Sequence, residues 1–306
     1  MRNFYPEGQL INTPQNRAAL FSRSGLEWAL SGNRTIEARA VMCDRDHNLA
    51  IDLGCMRGII PREEAALGIA EGKVKDIAVI SRVNKPVCFK VTGFGEREGR
   101  AVAVLSRKRA QEECAREYIS HLEPGDIIPA IATHNENFGS FCDIGCGIVA
   151  LLPIDSISVS RISHPSDRIK AGDNLFVAVR GVDNEGRVCL THRELLGTWE
   201  QNAKKFSPGQ TVSGIIRSIE EYGVFVELTP NLAGLAEKKD GIKIGQSASV
   251  FIKNIIPEKM KVKLIIVDSF FDDQGSVSTE YYITEGRLAN WRYSPQVCNK
   301  IIETIF

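Results

Sequence analysis

The residues of this chain best suited to binding chemistry are two aromatic pairs, Phe138 with Phe141 and Tyr222 with Phe225. Around the second pair, Glu220-Glu221-Tyr222-Gly223 reads as a turn, after which Val224, Val226 and Leu228 alternate with Phe225 and Glu227. Alternation of this kind marks a strand with one buried face. The aliphatics take the inner face, so Phe225 and Glu227 are expected on the wet one. A strand that turns an aromatic ring toward water beside a turn forms a stacking platform.

Catalysis finds no comparable support. The histidines are His47, His121, His134, His164 and His192, and no H-E-x-x-H motif, phosphate-cradling P-loop or G-x-S-x-G elbow accompanies them. Gly93-Phe94-Gly95 followed by Gly99 reads as a hairpin, because no helical pattern follows it. The 8 cysteines form no C-x-x-C pair and mostly fall inside apolar patterns, where a free thiol packs as a small hydrophobe. Neither a metal site nor a disulfide framework is expected, no cofactor is implied, and the chain reads as a binding protein, not an enzyme. The 38 basic and 38 acidic residues cancel, which argues against a general polyanion sponge but leaves room for a local patch. The N-terminal stretch lacks an apolar core of signal-peptide length, and no run approaches the ~18 apolar residues of a membrane span, so the expectation is a soluble, cytoplasmic protein.

The platforms recur with a period. Asn48–Gly54, Gly139–Gly145 and Gly223–Thr229 share alternate small or apolar residues and an outward acid at positions 52, 143 and 227, so the spacings are 91 and 84. A second marker agrees: Val104–Lys108 and Cys189–Arg193 each close a β-rich run and open a helix. Each unit is the size of one small barrel.

The stretch Gly209–Leu235 resembles the S1 RNA-binding domain, an OB-fold module, on Gly209-Gln210, Val212, Gly214, Ile216, Tyr222–Glu227 and Gly234-Leu235. The fold class this implies is all-β with helical linkers: three tandem five-stranded OB barrels with short terminal extensions. The segments are 1–33, a helical cap; 34–106, a degenerate barrel; 107–123, a linker helix; 124–192 and 207–268, two further barrels; 193–206, a second linker helix; and 269–306, a tail. Expected strands in the first barrel are Thr35–Cys43, Leu49–Leu53, Ile77–Arg82, Val87–Thr92 and Ala101–Leu105, with a short helix at Pro61–Leu67. Those in the second are Ile127–Thr133, Gly139–Ile144, Ile148–Leu152, Asn174–Val182 and Arg187–Thr191. In the linkers, Ala110, Cys114, Tyr118 and Leu122, and then Leu195, Trp199, Ala203 and Phe206, make apolar stripes at helical spacing, so Trp199 is read as core. In the tail, Phe270–Gly275 reads as a loop, Ser278–Ile283 as a strand and Val297–Ile305 as a helix; Tyr281, Tyr282, Trp291 and Tyr293 either stack bases or pin the tail to the third barrel, and packing is the favoured reading.

The resemblance implies binding of single-stranded RNA. Bases would stack on Phe138/Phe141 and Tyr222/Phe225, with His134 as a contact beside Phe138. Asp183 and Arg187 match the turn residues that flank the bound strand in the family. Arg180, Arg187, Arg217, Lys253, Lys261 and Lys263 would meet phosphates, and the third repeat is lysine-rich beside its rings. In the first repeat, His47 and Ala50 align with Tyr222 and Phe225, so that copy is expected to bind RNA weakly or not at all. The partners implied are single-stranded RNA (mRNA) and the small ribosomal subunit, with weak sequence preference and a role in translation or mRNA handling. The alternative is a protein-docking scaffold that uses the degenerate first barrel and the termini.

Overall fold

The computed structural model describes residues 4–183, 186–271 and 279–306. The expected loop Phe270–Gly275, the first residue of the expected strand Ser278–Ile283 and the centre of the Asp183–Arg187 turn lie outside the described residues in whole or part. The chain divides into two compact units, Met1–Leu122 with Asp143–Val149 and Glu123–Cys142 with Ala150–Phe306.

Two short helices open the first unit. Helix α1 (Pro14–Leu20) starts where Thr13 Oγ1 accepts from Asn16 N at 3.3 Å, with proline at its first position. Helix α2 (Arg23–Ser31) is capped by Ser22, whose hydroxyl accepts from Gly25 N at 3.1 Å, and ends at Gly32. Ala19, Leu26 and Ala29 face the barrel core.

Strands β1 (Thr35–Cys43), β2 (Leu49–Asp52), β3 (Arg57–Ile60), β4 (Pro86–Arg97) and β5 (Arg100–Ser106) close in the order β1-β2-β3-β5-β4. This is the five-stranded Greek-key order of an OB barrel. Two expectations fail here. Ile77–Arg82 is not a strand: Asp76–Ile80 forms helix α3, outside the barrel order, with only Val79 buried. The third strand is instead the short Arg57–Ile60, which pairs antiparallel with β2 and parallel with β5. The expected helix at Pro61–Leu67 is a single 3-10 turn, Arg62–Glu64. The Gly93–Gly99 stretch is a hairpin, as expected, with Arg97 paired to Arg100. Helix α4 (Arg107–Glu117) follows β5, and its stripe buries Ala110 and Cys114 against Phe4, Cys88 and Cys146.

The second barrel contains β6 (Ile127–Glu136), β7 (Gly139–Gly145), β8 (Ile148–Pro153), β9 (Asn174–Val182) and β10 (Val188–Thr191), in the order β10-β8-β7-β6-β9. The expected second linker helix is broken. A 3-10 turn spans Arg193–Leu196, and Gly197 takes φ 84°, a left-handed conformation that ends it. Thr198 then caps helix α5 (Trp199–Ala203) through a capping box with Gln201. Trp199 is a core residue of the third barrel, as its helical spacing suggested.

The third barrel contains β11 (Thr211–Glu220), β12 (Gly223–Thr229), β13 (Leu232–Ala236), β14 (Ser247–Ile256) and β15 (Lys261–Phe270), in the order β11-β12-β13-β15-β14. Internal repetition extends to single contacts. A Cβ at Gly58 would meet Leu105 Cδ1 at 2.5 Å, and one at Gly234 would meet Leu264 Cδ1 at 2.5 Å. In both barrels the third strand must stay bare where a leucine of the fifth strand crosses it.

The tail corrects two further expectations. Residues 279–283 carry no strand, and Val297–Ile305 is not a helix. Instead β16 (Asn290–Arg292) pairs with β17 (Glu303–Ile305). Trp291 and Tyr293 pack into the third barrel's core, and Tyr293 Oη donates to Asn231 O at 2.6 Å. Tyr281 goes to the second barrel, edge-on to Phe176 and His192. Barrels two and three are joined by the crossover between β8 and β9: Val159 N donates to Asn231 Oδ1 at 3.0 Å and Ser160 N to Pro230 O at 3.1 Å.

Candidate nucleic-acid interface

In the third barrel, strand pairing sets which side chains share the outer face with Phe225. Val224, Val226 and Leu228 are buried in the core, so Phe225 stands on the outer face of β12. Its register partners are Ser218 on β11 and Leu235 on β13, and Leu235 pairs in turn with Lys263 on β15. Residues in register share a face, so ring, leucine and lysine form one row across the sheet. Lys263 lies about 10 Å from Phe225, two strand spacings away. Lys261 stands two positions along on the same exposed edge, and Lys253 sits in the bulge of β14 between Ile252 and Asn254. Lys253, Lys261 and Lys263 are exposed and form no ion pair among the described residues. Tyr222, 70% exposed in the β11–β12 turn, meets Phe225 edge-to-face with centroids 6.1 Å apart and planes at 88°.

The second barrel repeats this geometry. Phe138, 54% exposed, meets Phe141 edge-to-face at 5.9 Å and 90°. His134 lies parallel to Phe141, 6.4 Å away with 13° between planes, and its Nε2 is 2.7 Å from Glu136 Oε1. Three rings therefore line one surface. Two glycines let the neighbouring strand pass close behind the rings: a Cβ at Gly139 would meet Leu152 O at 2.5 Å, and one at Gly223 would meet Ala236 O at 2.6 Å. Arg180 is exposed, with Nη1 3.3 Å from Ser156 Oγ. Asp183 accepts from Arg187 N at 2.9 Å and from Arg187 Nε at 2.7 Å, so this pair clasps its own hairpin.

Arg217 and Glu227 differ from their sequence reading. Glu227 does occupy the outer face of β12, but it is 0% exposed. Arg217 Nε donates to its Oε2 at 2.8 Å and Nη2 to Oε1 at 3.3 Å, while Arg168 Nη2 reaches Oε2 at 2.7 Å. Arg217 is thus turned inward onto a carboxylate. Asp143 is also buried, accepting from Glu7, Gly145 and Gly147 backbone N–H groups. Burial, and next the neighbouring Glu7 charge, push its carboxyl up to about 7. Of the three repeated acids only Asp52 is exposed. Sequence reasoning missed Arg168, which follows the Pro165–Asp167 turn of the β8–β9 crossover and carries no periodic signal.

The first barrel lacks the ring. Ala50 pairs with Met42 and Ile59 as Phe225 pairs with Ser218 and Leu235, so the residues place alanine where the others place phenylalanine. The space is a cavity of about 530 Å³, lined by Met42, Ala50, Met56 and Ile59 with Arg57 and Arg100. Among the described residues there is no cluster of three or more His, Cys, Asp or Glu suited to a metal ion, and no helix long and apolar enough to cross a membrane.

Comparison with known proteins meets this geometry at the second barrel. Residues 121–193 match the family model described as S1 RNA binding domain. The chain is 27% identical over 247 residues to the small ribosomal subunit protein bS1 of Leuconostoc lactis, covering 75% of this chain and 55% of that protein. It is 30% identical over 171 residues to the bS1 homolog of Bacillus subtilis (strain 168), covering 54% of this chain and 42% of that one. The chain spans about half the length of these relatives, or less. Among solved structures, it is similar to a multidomain protein with nucleic acid binding domains from Streptococcus pneumoniae, with 15% identity, a TM-score of 0.25, and coverage of 78% of this chain and 75% of that one. The S1-like character read from the residues is what the family and sequence matches show.

Proposed function

We propose that this protein binds single-stranded RNA with little sequence preference, on the aromatic platforms of its second and third barrels. The observation that carries this reading is the repeated ring geometry. Phe138/Phe141 and Tyr222/Phe225 each present one strongly exposed ring edge-on to a strand-borne one, at 5.9 and 6.1 Å. Every base has a π-face, so such a platform discriminates little between bases and supplies about 1–3 kcal/mol per stacked base. Lys253, Lys261 and Lys263, exposed on the barrel that carries Tyr222 and Phe225, form no ion pair among the described residues and suit the phosphates of a crossing strand. Arg180 and Arg187, exposed on the second barrel, are assigned the same role there. Similarity to ribosomal S1 proteins supports mRNA as the strand, the small ribosomal subunit as a partner, and a cytoplasmic role in translation or mRNA handling.

The test is Phe141→Ala combined with Phe225→Ala. Fluorescence anisotropy with a labelled single-stranded RNA should show an affinity loss of about 2–6 kcal/mol in the double variant, two bases' worth of stacking, with an unchanged melting temperature. Unaltered affinity overturns the platform reading. A second reading has one observation of its own. The cavity over Ala50 suits the docking of a protein segment on the first barrel, which would make the chain a scaffold. RNA affinity that falls steeply with salt favours the first reading.

A further inference from the structure

We infer that Arg168 and Asn135 are positioning residues that hold the second and third platforms at one fixed offset, so that the pair reads the length of an RNA and not its sequence; this rests on the RNA-binding reading above. The inference follows a continuous series of contacts within the second compact unit. Phe141 lies parallel to His134 at 6.4 Å. The next residue on β6, Asn135, donates from Nδ2 to Ile169 O at 2.6 Å and reaches Ser166 Oγ at 3.2 Å, which fastens the platform strand to the β8–β9 crossover. Between Ser166 and Ile169 on that crossover, Arg168 leaves its own barrel and donates to Glu227 of the third at 2.7 Å. Glu227 shares the outer face of β12 with Phe225, about 7 Å along the strand. One platform is thus tied to the other through a buried arginine, 2% exposed, on a carboxylate with no exposed surface, beside the Val159–Asn231 and Ser160–Pro230 hydrogen bonds of the same crossover.

The chemistry of the link makes it stiff and directional. A guanidinium and a carboxylate removed from water resist separation, because parting them leaves uncompensated charge. Arg168 is also held at some expense: its Nε and the Oδ1 of Asn135 are two of the four buried side-chain polar atoms that lack a hydrogen-bond partner among the described residues. Those two groups lie on the same series of contacts. Two platforms at a fixed offset raise the effective concentration of the second for any strand that already occupies the first. A strand too short to bridge them gains nothing.

The experiment compares uridine oligomers of about 4 and about 16 nucleotides, bracketing the usual footprint of one barrel. Binding is measured for the full chain and for Arg168→Met, Arg168→Lys and Asn135→Ala, with melting curves beside them. The wild type should bind the longer oligomer about 100-fold or more tighter, the gain that linked sites confer. Arg168→Met should lose at least about tenfold of that gain while binding the short oligomer as the wild type does, and Arg168→Lys should recover part of it. Asn135→Ala, at a half-buried side chain, reports on the same link if Arg168→Met fails to fold. A wild-type length gain retained in Arg168→Met, or in Asn135→Ala where that variant stands in for it, overturns the inference. Absence of binding at both lengths by the wild type overturns the RNA reading itself and this inference with it.

Discussion

Arg217 grips Glu227 through two near-parallel hydrogen bonds, 2.8 and 3.3 Å long, and so takes a carboxylate on the outward face of a strand wholly out of water. Arg168 closes the other side. A charge buried between two guanidinium groups stabilises the fold less than its contacts suggest, but removing it leaves two buried cations unpaired. Glu227→Ala should therefore lose about 3–5 kcal/mol of unfolding free energy, measured by urea denaturation at neutral pH. A loss under about 1 kcal/mol would show the triad to be loosely solvated.

Lys261 and Lys263 follow the opposite logic, because they are exposed and carry no ion pair among the described residues. Replacing both with alanine should leave stability within about 0.5 kcal/mol. RNA affinity should weaken equally for every sequence, and the slope of log K against log salt should become shallower by about 1.4, at about 0.7 per phosphate contact on a single strand. A salt titration of both proteins on the same oligomer checks it. An unchanged slope would remove these lysines from the RNA path.

The outward placement of the rings was legible in the sequence because a strand's period of two says which side chains share a face. It does not say whether something later in the chain, or earlier, will cover that face. Phe225 and Glu227 are equivalent by period, yet the ring is half open and the acid sealed, since Arg168 arrives from 59 residues away. The same limit explains the missed strand Arg57–Ile60. Four residues interrupted by a glycine give no pattern, and Gly58 is there for the sake of Leu105, a residue on another strand. Ile77, Val79 and Ile80 misled in the other direction. β-branched residues favour strands only where a neighbour pairs with them, and this barrel already closes with five strands, so the segment forms helix α3 with Ile77 in water. The break at Gly197 and the Thr198/Gln201 capping box are local signals, but the apolar stripe Leu195, Trp199, Ala203 and Phe206 at helical spacing overrides them and reads as one helix over 193–206.

His192 supplies a pH dependence whose sign is fixed by its partners. It is fully buried; Nδ1 lies 2.8 Å from Ile157 O, and Nε2 lies 3.0 Å from Tyr281 Oη. A neutral ring that donates at Nδ1 and accepts at Nε2 fits both. Burial, foremost, pulls its pKa down to about 4, with nearby Arg168 acting in the same direction and Glu194 and the Ile157 carbonyl opposing. The folded state therefore binds fewer protons than the unfolded chain between the ordinary histidine value of 6.5 and about 4. The stability this contributes is complete above pH 6.5 and is lost as pH falls toward 4, to a total of about 3 kcal/mol. Loss of the Tyr281 contact should loosen the tail from the second barrel. Melting temperatures at half-unit steps from pH 7.5 to pH 4 should fall more steeply for the wild type than for His192→Gln, which keeps a neutral side chain at every pH. The tail should become open to protease over the same interval in the wild type. Parallel pH profiles in the two proteins would mean that carboxylates elsewhere, and not this imidazole, carry the acid sensitivity.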